Sequence, residues 1–238
     1  MSTAAGDNPE RAHPIRALAA VILVAPAPSF GVLAAMSLWP GSAPGRAVFL
    51  GCKAWLLLFP AFWYLLVEGG RPRLSVPRVG ASMVGAAVGL AMAAMMVAGF
   101  WALLASRIHV EPIRAAARQM GLDTPVAFAA AAAGWILVNS LVEEYVYRWF
   151  ILRQCESLLP VWGAVLASAT IFTAHHAIAL AAYLPPSLTW LGAMAVLAAG
   201  TAWGWLYVVY RSIWSPWVSH VVADAAVFLI GWKLLFQF

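Results

Sequence analysis

Apolar residues run through this chain in long unbroken blocks, and short polar or turn-forming stretches divide them. A bilayer's hydrocarbon core of ~30 Å takes about 20 residues of helix, and seven blocks reach that length. They are 17–38, 47–67, 81–105, 125–150, 161–183, 189–210 and 213–232, the last one short. Pro26 and Pro28 are expected to kink or split the first, because proline removes a helix donor. Turn signals separate the blocks at 40–45, 69–73 and 184–187. The longest connection, 106–124, carries Glu111, Arg114 and Arg118 at helical spacing, which predicts an amphipathic helix on the membrane surface. The fold class expected is all-α, a polytopic transmembrane bundle of about seven helices (between six and eight). Residues 1–16 read as a short polar tail, and 17–238 as one membrane domain whose motifs lie within 125–232.

Composition agrees with that pattern. Of 238 residues 64% are hydrophobic and only 10% charged, against about 25% charged in soluble domains. The net charge of +5 could point to nucleic acid, but the basic residues are scattered through short loops with no interleaved aromatic stripe, which argues against that partner. Attraction to membrane lipid headgroups explains them better. With the N-terminus inside, eight Lys and Arg fall on the cytoplasmic side (Arg11, Arg16, Arg71, Arg73, Arg78, Arg148, Arg153, Arg211) and five opposite (Arg46, Arg107, Arg114, Arg118, Lys233). Cys52 and Cys155 belong to no Cys-x-x-Cys pair and imply neither a disulfide framework nor a zinc knuckle. Gly85-x-x-x-Gly89 and Gly200-x-x-x-Gly204 are candidate packing seams. Met92, Met95 and Met96 read as packing, and Trp39, Trp190, Trp214 and Trp232 as interface anchors.

Three carboxylates and three histidines inside the apolar blocks change the picture: Glu143, Glu144, His175, His176, His220 and Asp224. A charge near the middle of a spanning helix costs roughly 2.5 to 3.5 kcal/mol, so such a group is a functional-site candidate by default. Glu144 and Arg148 are one turn apart and can pair, while Glu143 points elsewhere and has no such partner. A paired and an unpaired carboxylate side by side have different environments, and the unpaired one is suited to accept and return a proton. The alternative is that both snorkel to the headgroups with Arg148 as an anchor. His175 and His176 face different directions on a helix, so one of them is expected to reach a shared cavity. His220 and Asp224 share a face at i, i+4; they can bind a metal, hydrogen-bond a reacting oxygen, or simply join two helices.

Such a set can activate water in two ways. With a divalent metal such as zinc, His176, His220 and a carboxylate (Glu143 or Asp224) would be ligands and the remaining carboxylate the base. Without metal, Glu143 and His176 would deprotonate water while His220 and its neighbour stabilise the oxyanion. The His-Glu-x-x-His pattern of many zinc proteases does not occur. A proton- or ion-coupled transporter also needs buried acids and histidines, but transporters of that kind usually show internal repeats. Here the polar motifs all lie in the C-terminal half, and the first three spans carry only Lys53. A non-catalytic immunity protein is a further alternative; it would tolerate loss of Glu143.

The motifs Glu143-Glu144-x-x-x-Arg148, Phe172-x-x-x-His176 and His220-x-x-x-Asp224, in that order on separate helices, resemble the CPBP (CAAX protease, or Abi) family of intramembrane proteases, which includes the type II CAAX prenyl endopeptidases. The resemblance implies an endopeptidase in which Glu143 and His176 activate water, His220 and Asp224 lie on the oxyanion side, and Glu144 with Arg148 holds the helix. Phe172 and His175 would support, with His175 a stand-in for His176. Asp224 stands where Asn is frequent, and an ionised Asp cannot donate to an oxyanion. The resemblance implies either no cofactor or a divalent metal, a membrane-associated protein or peptide substrate, and a bacterial inner membrane setting. Processing of lipidated proteins and sorting-type cleavage of C-terminal anchors both fit it.

Overall fold

The computed structural model describes residues 13–71, 75–106 and 108–237. Most of the polar tail, including Asp7 and Glu10, lies outside those residues, as do Arg11, Arg73 and Arg107 of the orientation count. The described residues form eight helices in order: α1 (Pro14–Leu38), α2 (Ala43–Val67), α3 (Val79–Leu103), α4 (Val110–Gln119), α5 (Pro125–Glu156), α6 (Val161–Ala181), α7 (Pro186–Tyr210) and α8 (Trp214–Phe236). All but α4 are long and apolar enough to span a bilayer, and the described residues contain no strand. The chain is an integral, multi-pass, all-helical membrane protein.

Local chemistry explains the boundaries. Prolines open α1, α5 and α7, where the first N–H has no helical partner in any case. The Ser42 hydroxyl accepts from the Gly45 N–H at 3.1 Å and the Thr124 hydroxyl from the Ala127 N–H at 3.3 Å, capping α2 and α5. α1 is interrupted at Ala25, just before Pro26. α5 runs six residues past its expected end at 150 because its polar last turn is held by partners. Arg153 pairs with Glu68, Gln154 donates to the other Glu68 oxygen at 2.6 Å, and Glu156 accepts from Arg211 at 2.7 Å. α8 likewise extends to Phe236, past the expected 232, with the Lys233 ammonium over the Trp101 ring at 5.4 Å and Phe236 beside Trp232.

The connection 106–124 does contain a helix, α4, with Arg118 bonded to Glu111 at 2.7 Å. That hydrogen bond, together with the Arg118 charge, holds the exposed Glu111 carboxyl below its ordinary range.

Both glycine seams pack helices. A Cβ on Gly85 would meet the Ser215 carbonyl oxygen at 2.2 Å and one on Gly89 the Ser219 carbonyl at 2.8 Å, so α3 and α8 touch backbone to backbone and run parallel. The Ser215 hydroxyl donates to the Ala81 carbonyl at 2.8 Å across the same seam. Gly200 faces Ala169 and Phe172, and Gly204 faces Val165, which sets α7 antiparallel against α6. Met92 and Met96 pack on the core, whereas Met95 is exposed. Trp39 and Trp190 are exposed at helix ends; Trp214 bonds the Ser75 carbonyl, and Trp232 meets Phe128 edge-on. Neither cysteine is in a disulfide.

The most buried stretch of the chain is Val146–Leu152 of α5, surrounded by Ala20 and Val24 of α1, Leu56 and Phe59 of α2, Val165 and Phe172 of α6, and Trp203 and Leu206 of α7. α5 is therefore the central helix. Its hydrogen bonding widens to i→i+5 at Trp135–Asn139 and again at Glu144–Leu152, flanking the single α-helical turn Ser140–Glu143. Such widened turns concentrate at functional sites.

Candidate active site

Three helices bring the ionisable residues together at the core of the bundle. α5 supplies Glu143, Glu144 and Arg148; α6 supplies Phe172, His175 and His176; α8 supplies His220 and Asp224. Glu143 sits at the meeting point. Its Oε1 accepts a hydrogen bond from Asn139 Nδ2 at 2.9 Å and lies 3.9 Å from His175 Nε2, and its Oε2 lies 3.6 Å from His220 Nε2.

Glu144 does different work from its neighbour. Fully buried, it faces Arg148 Nη1 at 3.3 Å and accepts from His220 Nδ1 at 2.8 Å, both through Oε1. Arg148 is itself buried under the rings of Phe172 and Trp203, 4.7 and 5.3 Å from their centroids. The alternative in which these groups snorkel to the headgroups does not fit a carboxylate and a guanidinium that are both sealed from solvent. Because a carboxylate only accepts, the His220 proton on Nδ1 faces Glu144 and Nε2 is turned toward Glu143 and Asp224, 3.6 Å from each. Trp203 stacks on the His220 ring at 3.9 Å and its indole N–H is tied to Ser219, which fixes the plane of the imidazole.

Both adjacent histidines reach Glu143, where the helical spacing led us to expect one. The two side chains straddle the direction toward α5, with ring centroids 4.1 Å apart. His176 donates from Nδ1 to the Phe172 carbonyl at 3.0 Å, and His175 Nδ1 bonds the Tyr147 hydroxyl at 3.1 Å. Each ring is thereby anchored at Nδ1 and offers Nε2 to the site, the arrangement that metal-ligating histidines share.

Among the described residues, the group able to hold a metal ion is Glu143, His175 and His176, with donor atoms all within 4.8 Å of one another. It shares Glu143 and His176 with the ligand set expected from sequence and has His175 in place of His220 and Asp224, whose Nε2 and Oδ1 lie 3.6 Å apart. Two imidazoles and a carboxylate fit a divalent metal chemically.

Sequence reasoning missed four residues of this site. Asn139 stands one turn before Glu143, a spacing that could have revealed it. Tyr147, one turn after Glu143, bonds His175, and Trp203 stacks on His220. Lys53 of α2 donates to Asn139 Oδ1 at 2.5 Å across 86 positions of sequence, and no local pattern signals that contact.

A membrane-embedded helical bundle with acids and histidines converging at its core is thereby defined. Residues 125–226, which hold all three motifs, match the family model for type II CAAX prenyl endopeptidase Rce1-like proteins, and this segment is similar to that family. No curated protein and no solved structure matched the chain. The family so named is one of endopeptidases, and the likeness covers α5 to α7 and the first half of α8.

Proposed function

We propose that the chain is an intramembrane endopeptidase that hydrolyses a peptide bond in a lipidated or C-terminally anchored substrate, with Glu143 as the base that activates water. The observation that carries this reading is the placement of one carboxylate, Glu143, between histidines contributed by two other helices. Separations of 3.6 and 3.9 Å are too long for direct hydrogen bonds but suit groups that share a water seated beside them.

In the reaction, Glu143 takes a proton from water as the oxygen bonds to the scissile carbonyl carbon, and His175 and His176 orient that water through Nε2. Negative charge develops on the carbonyl oxygen. His220 in its imidazolium form donates from Nε2 to that oxyanion, and Glu144, held by Arg148, keeps the ring oriented through Nδ1. Glu143 then returns its proton to the amide nitrogen, the C–N bond breaks, and a carboxylic acid and an amine leave. In a metal-assisted form Glu143, His175 and His176 would hold a divalent ion that polarises the carbonyl and acidifies the water, and Asp224 would take the place of Glu143 as the base.

The test compares membrane-protein termini by mass spectrometry in cells expressing the wild type or Glu143→Gln, together with chelator treatment of the purified protein. New termini present only with the wild type support the reading and identify the substrate; chelator sensitivity selects the metal-assisted form. Identical termini in both strains would overturn it and favour a transporter or non-catalytic role.

A further inference from the structure

We propose that Lys53 and Asn139 form a positioning relay that orients the Glu143 carboxylate, so that the reaction depends on a residue of α2 outside the segment bearing the protease motifs. This inference rests on the reading of Glu143 as the base. Lys53 occupies the eleventh position of a helix of 25 residues, deep in the span, where an ammonium is costly and marks a functional site unless it is paired. Its Nζ lies 2.5 Å from Asn139 Oδ1, and Asn139 Nδ2 lies 2.9 Å from Glu143 Oε1.

The chemistry of the three groups determines the direction of the relay. An ammonium only donates and a carboxylate only accepts, so the Asn139 amide has a single orientation that satisfies both: oxygen toward Lys53, NH₂ toward Glu143. The flip ambiguity of an isolated amide is thereby removed. With Oε1 engaged by Asn139, Oε2 is the oxygen left to take a proton. The ammonium also lies 5.7 and 5.8 Å from the ring centroids of Phe49 and Trp135, which favour a cation there and fix its approach to Asn139. The matched segment begins at residue 125, so Lys53 lies outside it.

Lys53→Met replaces a charge by an apolar side chain within a span. Insertion into the membrane is therefore not impaired by the change itself, and lost activity cannot be ascribed to a failure to span. For a residue acting through another, the loss expected is about 10- to 100-fold in kcat with KM little changed. Asn139→Leu should lose a similar factor, the double variant no more than the worse single one, and Lys53→Arg should restore most of the rate. Isotope-edited infrared spectroscopy supplies a readout independent of turnover. The carboxylate band that disappears in Glu143→Gln reports Glu143, and it should shift in Lys53→Met and Asn139→Leu.

Wild-type kcat in Lys53→Met, multiplicative losses in the double variant, or an unmoved Glu143 band would each overturn the relay while leaving the protease reading intact. A wild-type protein that cleaves nothing would overturn the protease reading, and the band shift alone would then decide whether the relay orients Glu143.

Discussion

Replacing Arg148 by methionine removes the cation that faces Glu144 inside the bundle. Glu144 is wholly buried and Arg148 is 1% exposed, so solvent cannot take over the missing partner. Removing one member of a buried pair typically costs about 3–5 kcal/mol, because the other charge is left without compensation. The guanidinium also lies over Phe172 and Trp203 and approaches the Gly200 carbonyl at 3.4 Å, contacts that methionine replaces only in part. Against a typical domain stability of ~5–15 kcal/mol, folded yield should fall sharply. Glu144→Gln in the same protein removes the stranded charge and should recover part of the loss, although His220 then bonds a neutral amide. The assay is reversible unfolding in detergent micelles, comparing wild type, Arg148→Met and the double variant. An unfolding free energy for Arg148→Met within about 1 kcal/mol of wild type, or a double variant less stable than Arg148→Met, would refute the argument.

Gly85→Val should cost at least the ~1–3 kcal/mol typical of overpacking, since even a Cβ would meet the Ser215 carbonyl at 2.2 Å, backbone that cannot swing aside; a thermal melt matching wild type would contradict the α3–α8 seam. Asp224→Asn keeps the side chain's shape near His220 Nε2 and adds a donor, so cleavage should persist. Asp224→Ala should lose about 10²–10³-fold if this position assists the oxyanion; kcat measurements on both variants check this, and an inactive Asn variant would exclude a donor role.

Long-range order in this protein was legible wherever the bilayer imposes it. Seven apolar blocks had to become helices, because a backbone without water must satisfy its hydrogen bonds within the segment. The glycine seams and the Glu144–Arg148 pair were legible for a related reason: helical spacing alone places those residues on one face. Where the expected ends were wrong, as at Glu156 and Phe236, partners on other helices had extended the polar or aromatic last turn.

The sequence by itself determined that the chain spans the membrane, and which carboxylates and histidines are too costly to be there without a purpose. Only the tertiary structure decided how those residues divide their work. Glu144 turns to Arg148 and His220, whereas Glu143 turns to Asn139, His175 and the far nitrogen of His220. Both adjacent histidines reach the site, and Lys53 reaches it from α2. The reason is geometric. Which face a residue presents follows from local helical periodicity, but which neighbour meets that face depends on how helices distant in sequence pack, and spacing along the chain carries no record of that.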